Sequence, residues 1–395
     1  MTAVGWPGGS PLSGAGAWKI ASSQPNALHS AAGMGCALET MSTTVSGLTG
    51  IVPTVNANPL LKWEQSKQAN VALDYGFHDG KFSGSLEYYT KTTSDLLLTV
   101  PVSQTGASFV ADQLQNIGSL QNKGLEFSLD ARMYERPNKG FNLTSGVVFS
   151  IERNKVLDLG KADFIETAGV SGQGQSGVQA QRIIPGQPLG TFYGWQFAGF
   201  NTTGNQTFTK YTVTRNAAGQ ETSRVANGVT TTPGGDDKVI IGNANPTFSL
   251  GLRSNANWHG WDASWLWRAE QGRDVFNNTS LVYAAKSDAT QSKNFLRSAL
   301  STPEGVTEAA IFSSRWIENG SFFRLQNVTV GYSFKLPGSG RPVRAYVSGD
   351  NLLLFTPYKG YDPEVFIDAG LASRGVDYLS YPRARTLTTG FRVQF

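Results

Sequence analysis

Charge is scarce in this 395-residue chain: Asp, Glu, Lys and Arg make up only 16%, against roughly a quarter in ordinary soluble domains. The net charge is +4 and the basic residues are scattered, so the clustered basic surface of a nucleic-acid binder is missing. Cysteine occurs once, at Cys36, which excludes an intramolecular disulfide framework. The three histidines, His29, His78 and His259, stand too far apart in sequence for a Cys/His metal cluster, and no cofactor is expected. No apolar run approaches the ~20 residues of a membrane helix, and no stretch holds a helical period. The first twenty residues have no basic start and are interrupted by Gly and Pro, unlike a secretory leader.

What the chain has is glycine, 45 residues, and aromatics, 22 Phe, 13 Tyr and 9 Trp, arranged with a period of two. In "KQANVALDYGF", Ala69, Val71, Leu73, Tyr75 and Phe77 alternate with polar or small residues. After the turn "HDGK", Phe82, Gly84, Leu86 and Tyr88 alternate again, as in a hairpin of two long strands. The same pattern marks nine spans, at about 67–77, 82–99, 122–135, 141–155, 247–257, 261–275, 322–335, 343–355 and 386–395. Residues 1–57 lack any such period and are expected to be irregular, so the chain divides into 1–57 and 58–395.

Connections between the spans alternate in kind. Short turns lie near 78–81, 136–140, 258–260 and 336–342; long polar segments lie at about 100–121, 156–246, 277–321 and 356–385. Short turns at one end and long loops at the other describe an antiparallel transmembrane β-barrel, with the long loops outside the cell. One face of each strand suits lipid and the other a polar lumen. In lipid every backbone polar group must be paired, which only a closed barrel achieves. Tyr75, Phe77, Tyr88, Trp258, Trp261, Tyr332 and Phe334 are expected in interfacial girdles. Nine is an odd count, and single-chain bacterial barrels have even counts, so the reading is of the C-terminal part of a larger barrel. "GTFYGWQFAGF" at 190–200 is placed in the outer loops or the lumen to keep that parity.

Several motifs invite sharper readings. "GQGQSG" at 172–177 fits a dinucleotide fingerprint in spacing but neither follows a buried strand nor opens a helix, so it is a decoy. Asp236 and Asp237 in "GGDDK" lack the spaced oxygens of a calcium loop and read as a solvated turn. Asp362 and Glu364 in "YDPEV" could suggest a glycosidase pair, and no G-x-S-x-G element accompanies them. Trp258, Trp261, Trp265 and Trp267 could stack on sugars, yet three share the parity of the lipid-facing set. Phe192, Tyr193 and Trp195 are the better loop candidates for contacting a substrate. No catalytic residue is expected.

From about Asn58 the chain resembles the C-terminal half of SusC/RagA-type TonB-dependent outer-membrane transporters. The stretches that carry the resemblance are "NPLLKWEQSKQANVALDYGF", "TSDLLLTVPV", "QNIGSLQNKGLEFSL", "PGQPLGTFYGWQFAGF", "IGNANPTFSLGL", "RWIENGSFFRLQNVTVGYSF", "RAYVSGDNLLLFTPYKGYDPEV" and "YPRARTLTTGFRVQF". They occur in the family's order. The resemblance implies a 22-stranded barrel holding a plug, a SusD-like lipoprotein partner, energy from TonB, and import of oligosaccharides or peptides. It also implies that "YDPEV" is a structural loop motif. The plug, TonB-contacting segment and leader have no counterpart here, so this chain is expected to be a portion lacking the plug. The ending, with Leu387, Thr389, Phe391, Val393 and Phe395 alternating to the last residue, resembles the signal read by the barrel-assembly machinery. Two other readings remain open: a structural or adhesion barrel without transport, and a non-functional gene fragment.

Overall fold

The computed structural model describes residues 18–21, 38–41, 50–53, 56, 58–101, 112–136, 140–160, 162–172, 174–291, 293–306, 308–338, 340–365 and 373–393. Its main feature is a ten-stranded antiparallel sheet. The strands are β1 (Trp18–Ala21), β2 (Gln65–Phe77), β3 (Phe82–Ser94), β4 (Ser119–Arg136), β5 (Phe141–Asp158), β6 (Phe248–Trp258), β7 (Trp261–Gln271), β8 (Phe322–Lys335), β9 (Pro342–Phe355) and β10 (Thr386–Val393). Among the described residues each pairs only with its neighbours in this order, so β1 and β10 are the outermost strands and the sheet is an open arc of barrel wall.

The nine expected spans are β2 to β10. The tenth, β1, lies within the 1–57 segment, where no strand is expected from the sequence. Trp18–Ala21 pairs with Gln68–Val71, and Leu38–Met41 pairs with Gly50–Pro53 in a separate hairpin. Four residues are too few to display a period, which is why no alternation marks them.

The register explains the alternation. Leu73, Leu86, Phe127, Phe149 and Leu250 form one continuous row across β2 to β6. The adjacent row, Glu87, Glu126, Ser150, Ser249 and Glu270, runs across β3 to β7 on the opposite face. An apolar outer face and a polar inner face follow directly from the pleat. At the short-turn end Phe141, Trp258, Trp261 and Tyr332 are directly paired neighbours, an aromatic row that brings together three of the residues expected in a girdle. Tyr88 departs from that expectation: it lies in mid-strand, opposite Val71 and Leu125. Trp258 and Trp261 flank a two-residue turn in which His259 and Gly260 have φ of 45° and 87°, the geometry a type I′ hairpin needs.

The long connections are not loose loops. At the opposite end of the sheet they build a folded outer module. Ile165–Gly169, Gln179–Ile183, Thr191–Trp195 and Lys238–Asn243 form one sheet, and Phe197–Phe200, Gln206–Arg215 and Glu221–Thr230 form another. Asp274–Asn277, Ile317–Asn319 and Val376–Asp377 form a third, gathered from the β7–β8 and β9–β10 connections. A short helix, Asn278–Tyr283, starts where the Asn277 side chain accepts the Ser280 amide hydrogen bond at 2.8 Å, an ordinary N-cap. A shared core of Phe192, Phe276, Leu281, Phe312, Trp316 and Val376 locks these pieces together. The Phe276 and Phe312 rings meet edge to face at 4.8 Å. Each such side chain contributes about 1.5–3 kcal/mol on burial, enough to hold a module that the polar character of these segments does not advertise.

Candidate functional site

The inner face of the wall and the underside of the outer module carry the charged side chains that the fold brings together. On the wall, glycines make room for side chains that reach across a strand. Arg253 on β6 grips Asp130 on β4 with two contacts of 2.7 Å, passing over Gly146 on β5, where a Cβ would lie 2.4 Å from the Asp130 carboxylate. Arg344 on β9 reaches Asp262 on β7 over Gly331 in the same way, with Nε donating at 2.8 Å. These bridges keep charge paired inside the arc and tie alternate strands together.

A denser network lies where β7 and β8 meet the last long connection. Arg324 is 1% exposed. Its Nη2 lies 2.6 Å from Asp362 and 3.2 Å from Glu364. Glu364 is also held by Arg268 at 3.2 Å and Arg383 at 3.3 Å, while Glu270 pairs with Arg273 at 2.8 Å. The "YDPEV" carboxylates are thus engaged by arginines that clamp the 356–365 segment to the wall. They are not two acids facing each other across an open cleft, as glycoside cleavage requires.

Arg324 reaches this network because of a bulge. Trp267 pairs with Leu325 and Leu266 with Asn327, leaving Gln326 without a partner residue on β7. An extra residue reverses the parity of everything on one side of it. Extended back from Val328 and Val330, strict alternation would put Arg324 on the lipid face. The bulge turns it inward.

In the outer module the three loop aromatics separate. Phe192 is fully buried in the shared core, where its ring packs the module. Tyr193 is half-buried with the Arg182 guanidinium 4.1 Å from its ring centre, and the other face of Arg182 lies 3.9 Å from Phe164. Trp195 donates from Nε1 to the Gly234 carbonyl at 2.8 Å and has the Lys238 ammonium 5.0 Å from its ring. Burial, then repulsion from Arg182, lowers the Lys238 pKa. The "GGDDK" reading needs a correction. Asp236 pairs with Arg215, but Asp237 is buried and accepts amide hydrogen bonds from Tyr211 and Gly234, both at 2.8 Å. It pins the turn from inside and is not solvated. In "GQGQSG", Gln175 is likewise buried and donates to the Ala310 carbonyl at 2.6 Å, so the motif is a packing element.

On β10, Leu387, Thr389 and Phe391 are exposed on the outer face, with Val393 at its end. Phe395 lies outside the described residues. Between the inner face of β3 to β6 and the underside of the module is a cavity of about 340 Å³, lined by Tyr89, Lys91, Asn122, Glu152, Arg153 and Arg374 among others. None of these six stands out by motif, because they come from three strands and a distant loop that only the fold brings together.

Comparison with known proteins gives this geometry a family. The family described as "TonB dependent receptor-like, beta-barrel" matches residues 37–352. TonB-dependent receptor P3 of Formosa agariphila is 34% identical over 370 residues, covering 88% of this chain and 36% of that protein. TonB-dependent receptor SusC of Bacteroides thetaiotaomicron is 29% identical over 353 residues, covering 86% of this chain and 32% of that protein. A solved structure of the RagAB peptide transporter superposes with a TM-score of 0.73 at 24% identity, over 91% of this chain and 38% of the other, which shows the shared fold. The chain spans about a third of the length of these relatives. An arc of wall with a lipid face, a charged lumen face and folded outer connections is therefore what the match describes: the chain belongs to the TonB-dependent receptor family, as part of an outer-membrane β-barrel.

Proposed function

We propose that this chain forms part of the conduit of a nutrient importer, moving an oligosaccharide or peptide across the outer membrane without bond chemistry. The observation that carries this reading is the inner face. Arg253 and Arg344 are paired over glycine notches and Arg324 is clamped to the outer connection, leaving a wall that is polar and wettable. Such a surface lets a hydrated cargo slide, whereas catalysis would need groups poised to react. The outer module offers the natural seat for a SusD-like lipoprotein lid. Energy would come from TonB through a plug, and assembly through the barrel-assembly machinery reading Leu387, Thr389, Phe391, Val393 and Phe395. Tyr193 and Trp195, which keep part of their surface open, remain the loop aromatics nearest to a substrate-contacting role, and Phe192 would act by holding them.

Growth tests this reading. The locus encoding this chain, and separately that of a neighbouring SusD-like lipoprotein, would be deleted and the strains grown on single oligosaccharides and on peptides. The reading expects both deletions to abolish growth on the same nutrient. Unimpaired growth on every nutrient would favour a structural or adhesive barrel instead.

A further inference from the structure

The charged groups of the inner face are not all matched. Around Arg324, four arginines meet three carboxylates in direct ion pairs. In the 340 Å³ cavity the balance differs. Lys91, Arg153 and Arg374 line it with Glu152 as the sole carboxylate, and among the described residues none of the three cations forms an ion pair. The Lys91 ammonium has no partner at all among them. Arg374 donates only to the Asn245 side-chain carbonyl, at 3.1 Å. Arg153 donates to the backbone carbonyls of Glu152 and Thr247 at 2.8 and 2.9 Å. Burial, and then repulsion from Arg273, pushes the Arg374 pKa down, and the attraction of Glu270 and Glu152 offsets this only in part, so this guanidinium pays a desolvation cost without an anion in direct contact.

Resting on the import reading, we infer that this cavity is a subsite for a carboxylate carried by the cargo. Guanidinium and ammonium donors in a partly desolvated cavity make strong charge-assisted hydrogen bonds to a carboxylate, and the side-chain amides of Asn122 and Asn245 line the same space. Asn245 is held in place, since its amide nitrogen donates to the Leu189 carbonyl at 2.5 Å. The Asn154 side chain fixes the same loop by accepting the Leu189 amide at 2.6 Å. Glu152 works against the bound charge and sets how tightly it is held.

Two kinds of cargo carry such a group: a peptide and a uronic-acid oligosaccharide. A second cavity of about 270 Å³ shares Leu120 and Leu189 with the first and is lined by Leu98, Val156, Leu159 and Ile183. An aliphatic residue beside a peptide carboxylate would fill it, and a uronic-acid chain would not.

The full chain, refolded into detergent micelles, would be titrated calorimetrically with a hexapeptide ending in a free leucine, with trigalacturonate and with neutral maltohexaose. At least one anionic probe should bind, more weakly as salt rises. R374Q and K91Q should each weaken it at least tenfold. E152Q, at an exposed position where misfolding is not a concern, should tighten it about threefold or more. Binding of the peptide alone assigns the subsite to peptides; binding of trigalacturonate alone assigns it to acidic sugars. If neither anionic probe binds, if the variants leave affinity unchanged, or if maltohexaose binds as well as they do, the subsite is wrong. A failed growth test with intact anion binding would instead sink the import reading alone.

Discussion

Arg344 and Asp262 hold each other across a strand that belongs to neither, with Gly331 beneath the contact and Nε to Oδ1 at 2.8 Å. Glycine is there because a Cβ would lie 2.6 Å from the guanidinium. The pair is almost a third exposed on each side, so it is worth about 1 kcal/mol or less. Gly84 is a harder case. A Cβ there would lie 2.0 Å from the Ser128 backbone carbonyl and 2.6 Å from the Tyr75 hydroxyl, which donates to that carbonyl at 2.7 Å. The expectation is that G331A lowers unfolding stability by no more than about 1 kcal/mol, while G84A costs about 1–3 kcal/mol. Urea unfolding in micelles, followed by tryptophan fluorescence, checks the order.

Removing Arg324 should be costly. R324M leaves the buried Asp362 without its closest cation and takes one of three arginines from Glu364, a change that typically costs about 3–5 kcal/mol. Pairing it with D362L should recover part of the loss, because the uncompensated charge goes too. If R324M unfolds at the same urea concentration as the parent, the network is ornamental.

The outer module should behave as its own folding unit. F312A removes a ring from its core, where it packs on Phe276 and Gly194, at about 3–5 kcal/mol. Trypsin should then cut first within residues 159–247 while the strands of the wall stay protected. Simultaneous loss of both would contradict the division.

Asp274 predicts a pH effect. It is partly buried, and burial raises its pKa above 3.8 despite the Asn243 amide hydrogen bond at 2.9 Å. A carboxyl whose folded pKa exceeds its unfolded one loses stability as pH rises from about 3.8 through the folded value, and the penalty is complete above it. D274N should therefore raise the melting temperature of the module at pH 7 and leave it unchanged near pH 3. Equal shifts at both pH values would assign the effect to something other than ionisation.

Much of the wall was legible because a two-faced sheet must alternate: β2 to β10 all fall where a period of two runs. What was hidden has physical causes. The bulge at Gln326 adds one residue, and alternation read through it sends Arg324 to the wrong face. Trp18–Ala21 pairs through its backbone over too few residues to leave a pattern. The outer module escaped because its core is assembled from short apolar groups scattered over 170–376 that share no period. Phe192 looked like an exposed loop aromatic for the same reason, and Asp237 looked solvated because its amide partners lie 26 and 3 residues away. The cavity residues Lys91 and Arg374 carry no motif, and no spacing could have joined them.

The account rests on one face of β2 to β10 touching lipid and the other facing the lumen. Single cysteines, introduced in a C36S background at Leu73, Val147 and Val330 on one face and at Glu126, Asp130 and Asp262 on the other, would be probed in bilayers. The measurement is reaction with a water-soluble maleimide, alongside quenching of an attached fluorophore by brominated lipid. The first three positions should be quenched by lipid and slow to react, and the last three the reverse. Equal reactivity on both faces, or no alternation along a strand, would contradict the barrel-wall assignment.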